Sequence, residues 1–330
     1  MNSTNFRLWI KNEDSQRGVA LLMVLWVLTI LMVIVFSFSF MTRTETLSTS
    51  SFRGGTERKF IAEAGIERGI MELFYRNLYR NQTVELEGME IWKADGTSYT
   101  AQLGNGYYTV KLTAESGKVD INAASDVVLK NLLLNSGVQS EEADIIVDSI
   151  MDWKDPDDLH RLHGAENDYY TSLPNPYKAK DSKFDALEEL LLVKGMTPEI
   201  LYGQGDKPGI INFLTIYSRT NRINVNSAPK EVLMAIPNMT PEIAEVIINF
   251  RQNQEIKSMQ EIQGILGENY AIMARYISAG ETNTFTIDSF GYKNNEKGNY
   301  AIRATVVISG LAGDDTHRYV YYKSPVNLPQ

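Results

Sequence analysis

Val19 to Met41 reads VALLMVLWVLTILMVIVFSFSFM, 23 residues without a charge between Arg17 and Arg43. At a helical rise of ~1.5 Å per residue the run reaches about 34 Å, more than the roughly 30 Å hydrocarbon core of a bilayer. In lipid every main-chain polar group must find a partner inside the segment, so a lone span of this kind is a helix. Three readings fit it: a secretory signal, with Ser37-Phe38-Ser39 as its small-x-small site, an ordinary signal anchor, or a span behind a processed leader. The apolar part of a secretory signal is usually shorter, about 7 to 15 residues. Arg7, Lys11 and Arg17 precede the run and Arg43, Arg53, Arg58 and Lys59 follow it, so flanking charge leaves the orientation open.

The remainder of the 330 residues is ordinary globular material, 43% hydrophobic and 22% charged, enough for about two cores. A net charge of -9 opposes a nucleic-acid coat, because phosphate binding needs clustered Lys and Arg. The absence of cysteine excludes disulfides, thiolate zinc sites and a Cys nucleophile. No phosphate loop, serine elbow or paired catalytic carboxylates can be recognised, so the chain reads as a non-enzyme.

After the span, Phe60, Ile61, Ala64, Ile66, Ile70, Leu73, Phe74 and Leu78 form an apolar stripe that predicts helix to about Arg80, with a break expected near Gly54-Gly55. Tyr99–Leu103 and Tyr107–Thr113, around Gly104-Asn105-Gly106, predict a hairpin, and 285–292, 300–309 and 319–322 predict three further strands. Strands thus flank a helical middle, residues 119–280. Within it, Val119-Asp120-Ile121-Asn122-Ala123-Ala124-Ser125 matches Ile223-Asn224-Val225-Asn226-Ser227-Ala228-Pro229, and two helices follow each copy, around the turns 135–138 and 237–240. The pair resembles helix-hairpin-helix or sterile-alpha-motif units. Such hairpins often hold DNA, but acidic surroundings oppose an anion, which favours a structural or protein-contact use.

Between the second helix of the first copy and Leu187 lies a long loop, 150–187, rich in carboxylates (Asp152, Asp155, Asp157, Asp158, Glu166, Asp168, Asp181, Asp185) and aromatics (Trp153, Tyr169, Tyr170, Tyr177). It is either a solvated acidic loop or a cation site. Calcium, which accepts six to eight oxygens in irregular geometry, is the ion that suits it, although the spacing is not that of an EF-hand. His160 and His163, three apart, lack a third ligand for zinc.

The polar head ending Gln16-Arg17-Gly18 directly before the apolar run resembles the type III signal of pilins and pseudopilins. That resemblance implies a leader, 1–18, removed by prepilin peptidase between Gly18 and Val19 at the cytoplasmic face. Most such subunits carry glutamate at the fifth mature position, where this chain has Met23. Together with GVALLMVLWVLTIL, Asp152-Trp153-Lys154-Asp155-Pro156-Asp157, 164–170 and 187–196, this is similar to the general secretion pathway protein K family of type II secretion minor pseudopilins. The resemblance implies an α+β pilin-like fold with a long N-terminal transmembrane helix (span 19–41). A small antiparallel sheet, from 42–118 and 281–330, would be interrupted by a helical insertion, 119–280. It implies calcium held by Asp152, Asp155, Asp157, Glu166 and Asp168. It also implies a single-pass inner-membrane protein with its C-terminal domain in the periplasm, partnered by other minor pseudopilins, capping the pseudopilus tip and helping to initiate its assembly for protein secretion. The competing readings are a membrane-anchored DNA-capture protein and a type IV minor pilin.

Overall fold

The computed structural model describes residues 14–79, 91–205, 207–294, 298–309 and 317–327. Residues 1–13 of the expected leader and Arg80 at the expected helix end lie outside them. The chain divides into two compact units, 1–57 and 58–330.

Helix α1 runs Asp14–Tyr79. In the first unit every side chain from Val19 to Met41 is exposed, and this helix is long and apolar enough to cross a membrane. Thr29 within the run donates to the Trp26 carbonyl (2.8 Å), and Thr42 just beyond it to that of Phe38 (2.9 Å), the local bonding that a hydroxyl in lipid would need. The expected break at Gly54-Gly55 does not occur; α1 passes through it. Each glycine costs about 1 kcal/mol against alanine, too little to interrupt a helix already nucleated on both sides and braced by Arg53–Glu57 at 2.9 Å.

In the second unit, residues 58–79 of α1 lie on an antiparallel sheet. The first hairpin is β1 (Asp95–Leu103) and β2 (Gly106–Ala114). Its two-residue loop turns on Gly104 at φ +57, which glycine adopts without penalty. The chain then leaves the sheet for the insertion. The first repeat opens with β3 (Val119–Asp120), continues through α2 (Asp126–Asn135), α3 (Ser140–Lys154), α4 (Asn167–Thr171) and α5 (Pro198–Tyr202), turns at the short hairpin β4 (Gly203–Gln204)/β5 (Lys207–Pro208), and closes with β6 (Leu214–Thr215). The second opens with β7 (Ile223–Asn224), adds α6 (Lys230–Met234) and α7 (Pro241–Asn253), and closes with β8 (Ile277–Ser278). The chain returns to the sheet as β9 (Thr284–Tyr292), β10 (Asn299–Ile308) and β11 (His317–Lys323), giving the order β1-β2-β9-β10-β11.

Two separate cores follow from this path. One joins Ile66, Ile70 and Leu73 of α1 to Val110, Leu112, Ile287, Ile302 and Val306 of the sheet. The other draws only on 119–277. Helix and sheet approach closely because Gly65 and Gly69, one turn apart, face β9: a Cβ at either would collide with Ser289 or Ile287.

The two repeats close by the same device. β3 pairs in parallel with β6, and β7 with β8. Asp120 Oδ1 accepts from Asn122 N and Asn224 Oδ1 from Asn226 N, both at 2.9 Å. The next asparagine then clasps a distant main chain in both directions, Asn122 with Phe184 (3.0 and 2.8 Å) and Asn226 with Ile256 (2.8 and 2.9 Å).

The insertion is tied to the helix–sheet layer by two buried charges. Arg76 of α1 reaches Glu255 and Glu281, each at 3.1 Å. Glu115, just after β2, takes Lys118 Nζ at 2.7 Å, the Thr286 hydroxyl at 2.7 Å and the Thr215 hydroxyl. Burial alone would raise the Glu115 pKa, but Lys118 and the two threonines outweigh it and hold it below the usual carboxylate range.

Candidate functional site

The acidic loop begins where α3 stops. Pro156 forbids further helix, and Lys154 anchors the helix end by donating to the Ile121 carbonyl at 3.0 Å. Asp152, in the last turn, is fully buried. The chain folds back over it so that Arg161 reaches Asp152 at 2.8 Å and Asp155 at 2.7 Å. Gly164 lies against the Asp152 carboxylate with no room for a side chain. Beneath is an aromatic floor: Trp153 meets Tyr170 edge-on at 5.2 Å and stacks with Phe184 at 6.5 Å, and Tyr170 stacks with Tyr177 at 5.3 Å. Lys194 clamps the return, donating to the carbonyls of His163 (3.2 Å) and Gly164 (3.0 Å) while lying 5.1 Å over Tyr169.

Glu166 is the anomaly. It precedes α4, is 1% exposed, and neither carboxylate oxygen has a hydrogen-bond donor; the second oxygen of Asp155 is likewise buried and unpartnered. Burial first, then the charges of Asp152, Asp155 and Asp181, push the Glu166 pKa up to about 7, against a smaller opposing pull from His160. Buried oxygens without donors are costly unless a cation completes them.

Of the five residues expected to hold calcium, the fold gathers Asp152, Asp155 and Glu166 into one electrostatic neighbourhood. Asp157 is engaged in a turn, accepting from Leu159 N at 2.9 Å. Asp168 faces solvent, 74% exposed at its side chain, and pairs with His160 at 3.0 Å. His163 pairs instead with Asp148 at 3.2 Å, so the two histidines do not converge. Asp181, held at φ +50, joins the neighbourhood although no spacing rule pointed to it. Among the described residues no three His, Asp or Glu side chains already stand in metal-holding geometry; Arg161 provides the positive charge between Asp152 and Asp155. The donor chemistry nevertheless fits a hard cation, since the three unpartnered buried oxygens of the loop all belong to carboxylates.

The other sequence-derived sites lie on α1. Gly18 and Val19 are helical, and Met23 is 64% exposed. In the hairpin turns the amides are spent internally: Gly137 N on Leu134 O (3.0 Å), Val138 N on Leu133 O (3.1 Å), and Met239 N on Ile236 O (3.1 Å). None of these three is left for a phosphate.

A family model described as "Type II secretion system (T2SS), protein K" matches residues 110–202, the stretch from the second half of β2 through the helix pair α2–α3 and the acidic loop to α5. Residues 110–202 thus match the protein K family of type II secretion systems. A helix-hairpin-helix motif model matches 218–271, in the second repeat. The chain is similar to type II secretion system protein K of Pectobacterium carotovorum subsp. carotovorum, 24% identical over 290 residues, covering 83% of this chain and 88% of the relative. It is also similar to type II secretion system protein K of Pseudomonas aeruginosa, 24% identical over 205 residues, covering 57% and 59%. Among solved structures, a chain of the GspK-GspI-GspJ complex from the enterotoxigenic Escherichia coli type 2 secretion system matches with a TM-score of 0.59 and 14% identity, over 86% of this chain and all of that one. That likeness establishes a shared fold. The matching family model and these curated relatives are all described as protein K of the type II secretion system.

Proposed function

We propose that this chain is a minor pseudopilin of a type II secretion system that caps the tip of the periplasmic pseudopilus and helps to start its assembly. The observation that carries the reading is Met23 in a helix otherwise built to cross a membrane. A free N-terminal amine in lipid is costly unless a carboxylate meets it. A subunit whose fifth mature residue is methionine offers no such carboxylate to a subunit ahead, so it occupies the end of a fibre. In this reading prepilin peptidase cleaves between Gly18 and Val19, the span 19–41 sits in the inner membrane, and the C-terminal domain projects into the periplasm. The exposed apolar side chains of α1 pack against other minor pseudopilins, in keeping with the GspK-GspI-GspJ complex in which the similar fold is found. Gold labelling of an epitope-tagged chain on overproduced pseudopili tests this: label at one end of each fibre is expected, and label along the shaft contradicts it.

Calcium belongs to the same reading, with Glu166, Asp155 and Asp152 as its holders and Asp157 and Asp168 as the outer acids of the loop. A bound ion supplies the positive charge that the Glu166 carboxylate lacks, and fixes the loop on its aromatic floor. Terbium, which substitutes for calcium, should emit on excitation of Trp153 and be displaced by calcium. Silence in the full chain would remove the metal. Capture of DNA finds no support in the internally spent turn amides or in the net charge of -9.

A further inference from the structure

The edge strand β11 contains one residue too many for its partner. Tyr321 lies opposite Thr305 and Tyr319 opposite Val306, so Val320 is unmatched. Such a bulge re-aims the side chains that follow it. In a regular strand Tyr319 and Tyr322, three apart, would face opposite ways. Here Tyr322 is opposite Ala304 and Tyr319 opposite Val306, both residues of the core beneath α1, so both tyrosines turn to the helix side. Their rings meet edge-on at 5.8 Å. Tyr321 goes to the other face, where it lines the cleft with Glu115 and Arg303.

The two tyrosines and α1 enclose an open groove of about 590 Å³, whose remaining walls are Phe60, Glu63, Ala64, Ile66 and Glu67. Phe60 is 63% exposed, Tyr322 48% and Tyr319 39%, a concentration of large rings that solvent alone does not favour. Its ionised groups are acids. Lys59 stands 3.5 Å from Glu63, while Glu67 has the neutral Tyr319 hydroxyl at 3.4 Å. Aromatic faces around a carboxylate attract a cation twice over, by charge and by the ring quadrupole.

We propose that this groove receives an α-helix of a sister minor pseudopilin that presents a Lys or Arg among apolar residues, the cation reaching Glu67 between the two tyrosines. A helix suits the groove better than an added strand, because Arg318 and Lys323 flank the open edge of β11 and charged edges resist strand pairing. The inference rests on the assembly reading above and specifies where on this chain one contact is made.

The test uses the full chain in membranes with its two sister minor pseudopilins, carrying a photo-crosslinking phenylalanine analogue at position 322 or, as control, at 321 on the opposite face. Crosslinking from 322 into the helix of a sister subunit, at least tenfold above that from 321, is expected. Glu67→Lys should weaken co-purification at least tenfold, with recovery when the partner's cation is changed to Glu. A complex that forms normally with no excess from 322, or with crosslinks into a partner strand, overturns the groove assignment and leaves the assembly reading standing. No complex at all overturns both.

Discussion

The carboxylate of Asp152 occupies the place where a side chain on Gly164 would have to go. The buried acid of α3 and the returning loop therefore fit each other only through a glycine. Gly164→Ala should lower stability by about 1–3 kcal/mol, the usual cost of overpacking, and should abolish calcium-dependent stabilisation by displacing Asp152. Melting of the full chain with and without calcium checks both; a variant that retains its full calcium increment contradicts the site.

Glu166 makes the loop pH-dependent. Its folded pKa, about 7, lies above the ordinary value. The folded state therefore holds its proton more tightly, and the associated stability is complete below about pH 4.5 and is lost as pH rises through about 7 in chelator. Calcium should reverse this, since it binds the ionised form, and its apparent affinity should fall roughly tenfold per pH unit below 7. Glu166→Gln should be more stable than the parent at pH 8 in chelator and indifferent to calcium. Denaturant titrations at pH 5 and 8 measure it.

Asn122 and Asn226 each satisfy a main-chain N–H and C=O in the middle of a repeat. Asn226→Ala leaves the Ile256 amide, on a fully buried residue, without its acceptor and should cost about 1–3 kcal/mol. Asn122→Ala should cost a similar amount at Phe184, and Asn→Asp should recover only the bond donated by the amide N–H. Equal melting temperatures for parent and alanine variants would contradict the clasp.

Arg76 holds the insertion to α1 through Glu255 and also pairs with Glu281 just past its end, its side chain 10% and that of Glu281 6% exposed. Removing one partner of such a pair strands the other, so Arg76→Ala should destabilise by about 3–5 kcal/mol. Proteolysis should then cut first around Glu255 and Glu281, whereas Arg53→Ala, in a solvent-exposed pair with Glu57, should change little.

Much of this fold is written in local patterns. Alternation around Gly104-Asn105-Gly106 marked the first hairpin, and the matching segments at Val119 and Ile223 marked the repeat. What escaped was long-range: β6 and β8 are two residues each, too short for any periodicity, and are defined only by the parallel partner the fold brings to them. Gly54-Gly55 misled because propensity is a weak term inside a long helix. The acid-rich loop was evident from composition, but composition does not separate Asp157, consumed by a turn, from Glu166, buried without a donor. That difference arises only when Arg161 folds back onto Asp152.

A place at the fibre end requires that the lipid-crossing helix begin a mature pseudopilin chain at Val19. An intact-mass spectrum of the chain purified from membranes of cells with an active prepilin peptidase reads that start. A single species lacking residues 1–18, converted to full length in peptidase-deficient cells and by Gly18→Ala, is the predicted result. A mature protein that keeps Met1 in peptidase-active cells, or is cut near Ser39, would contradict it.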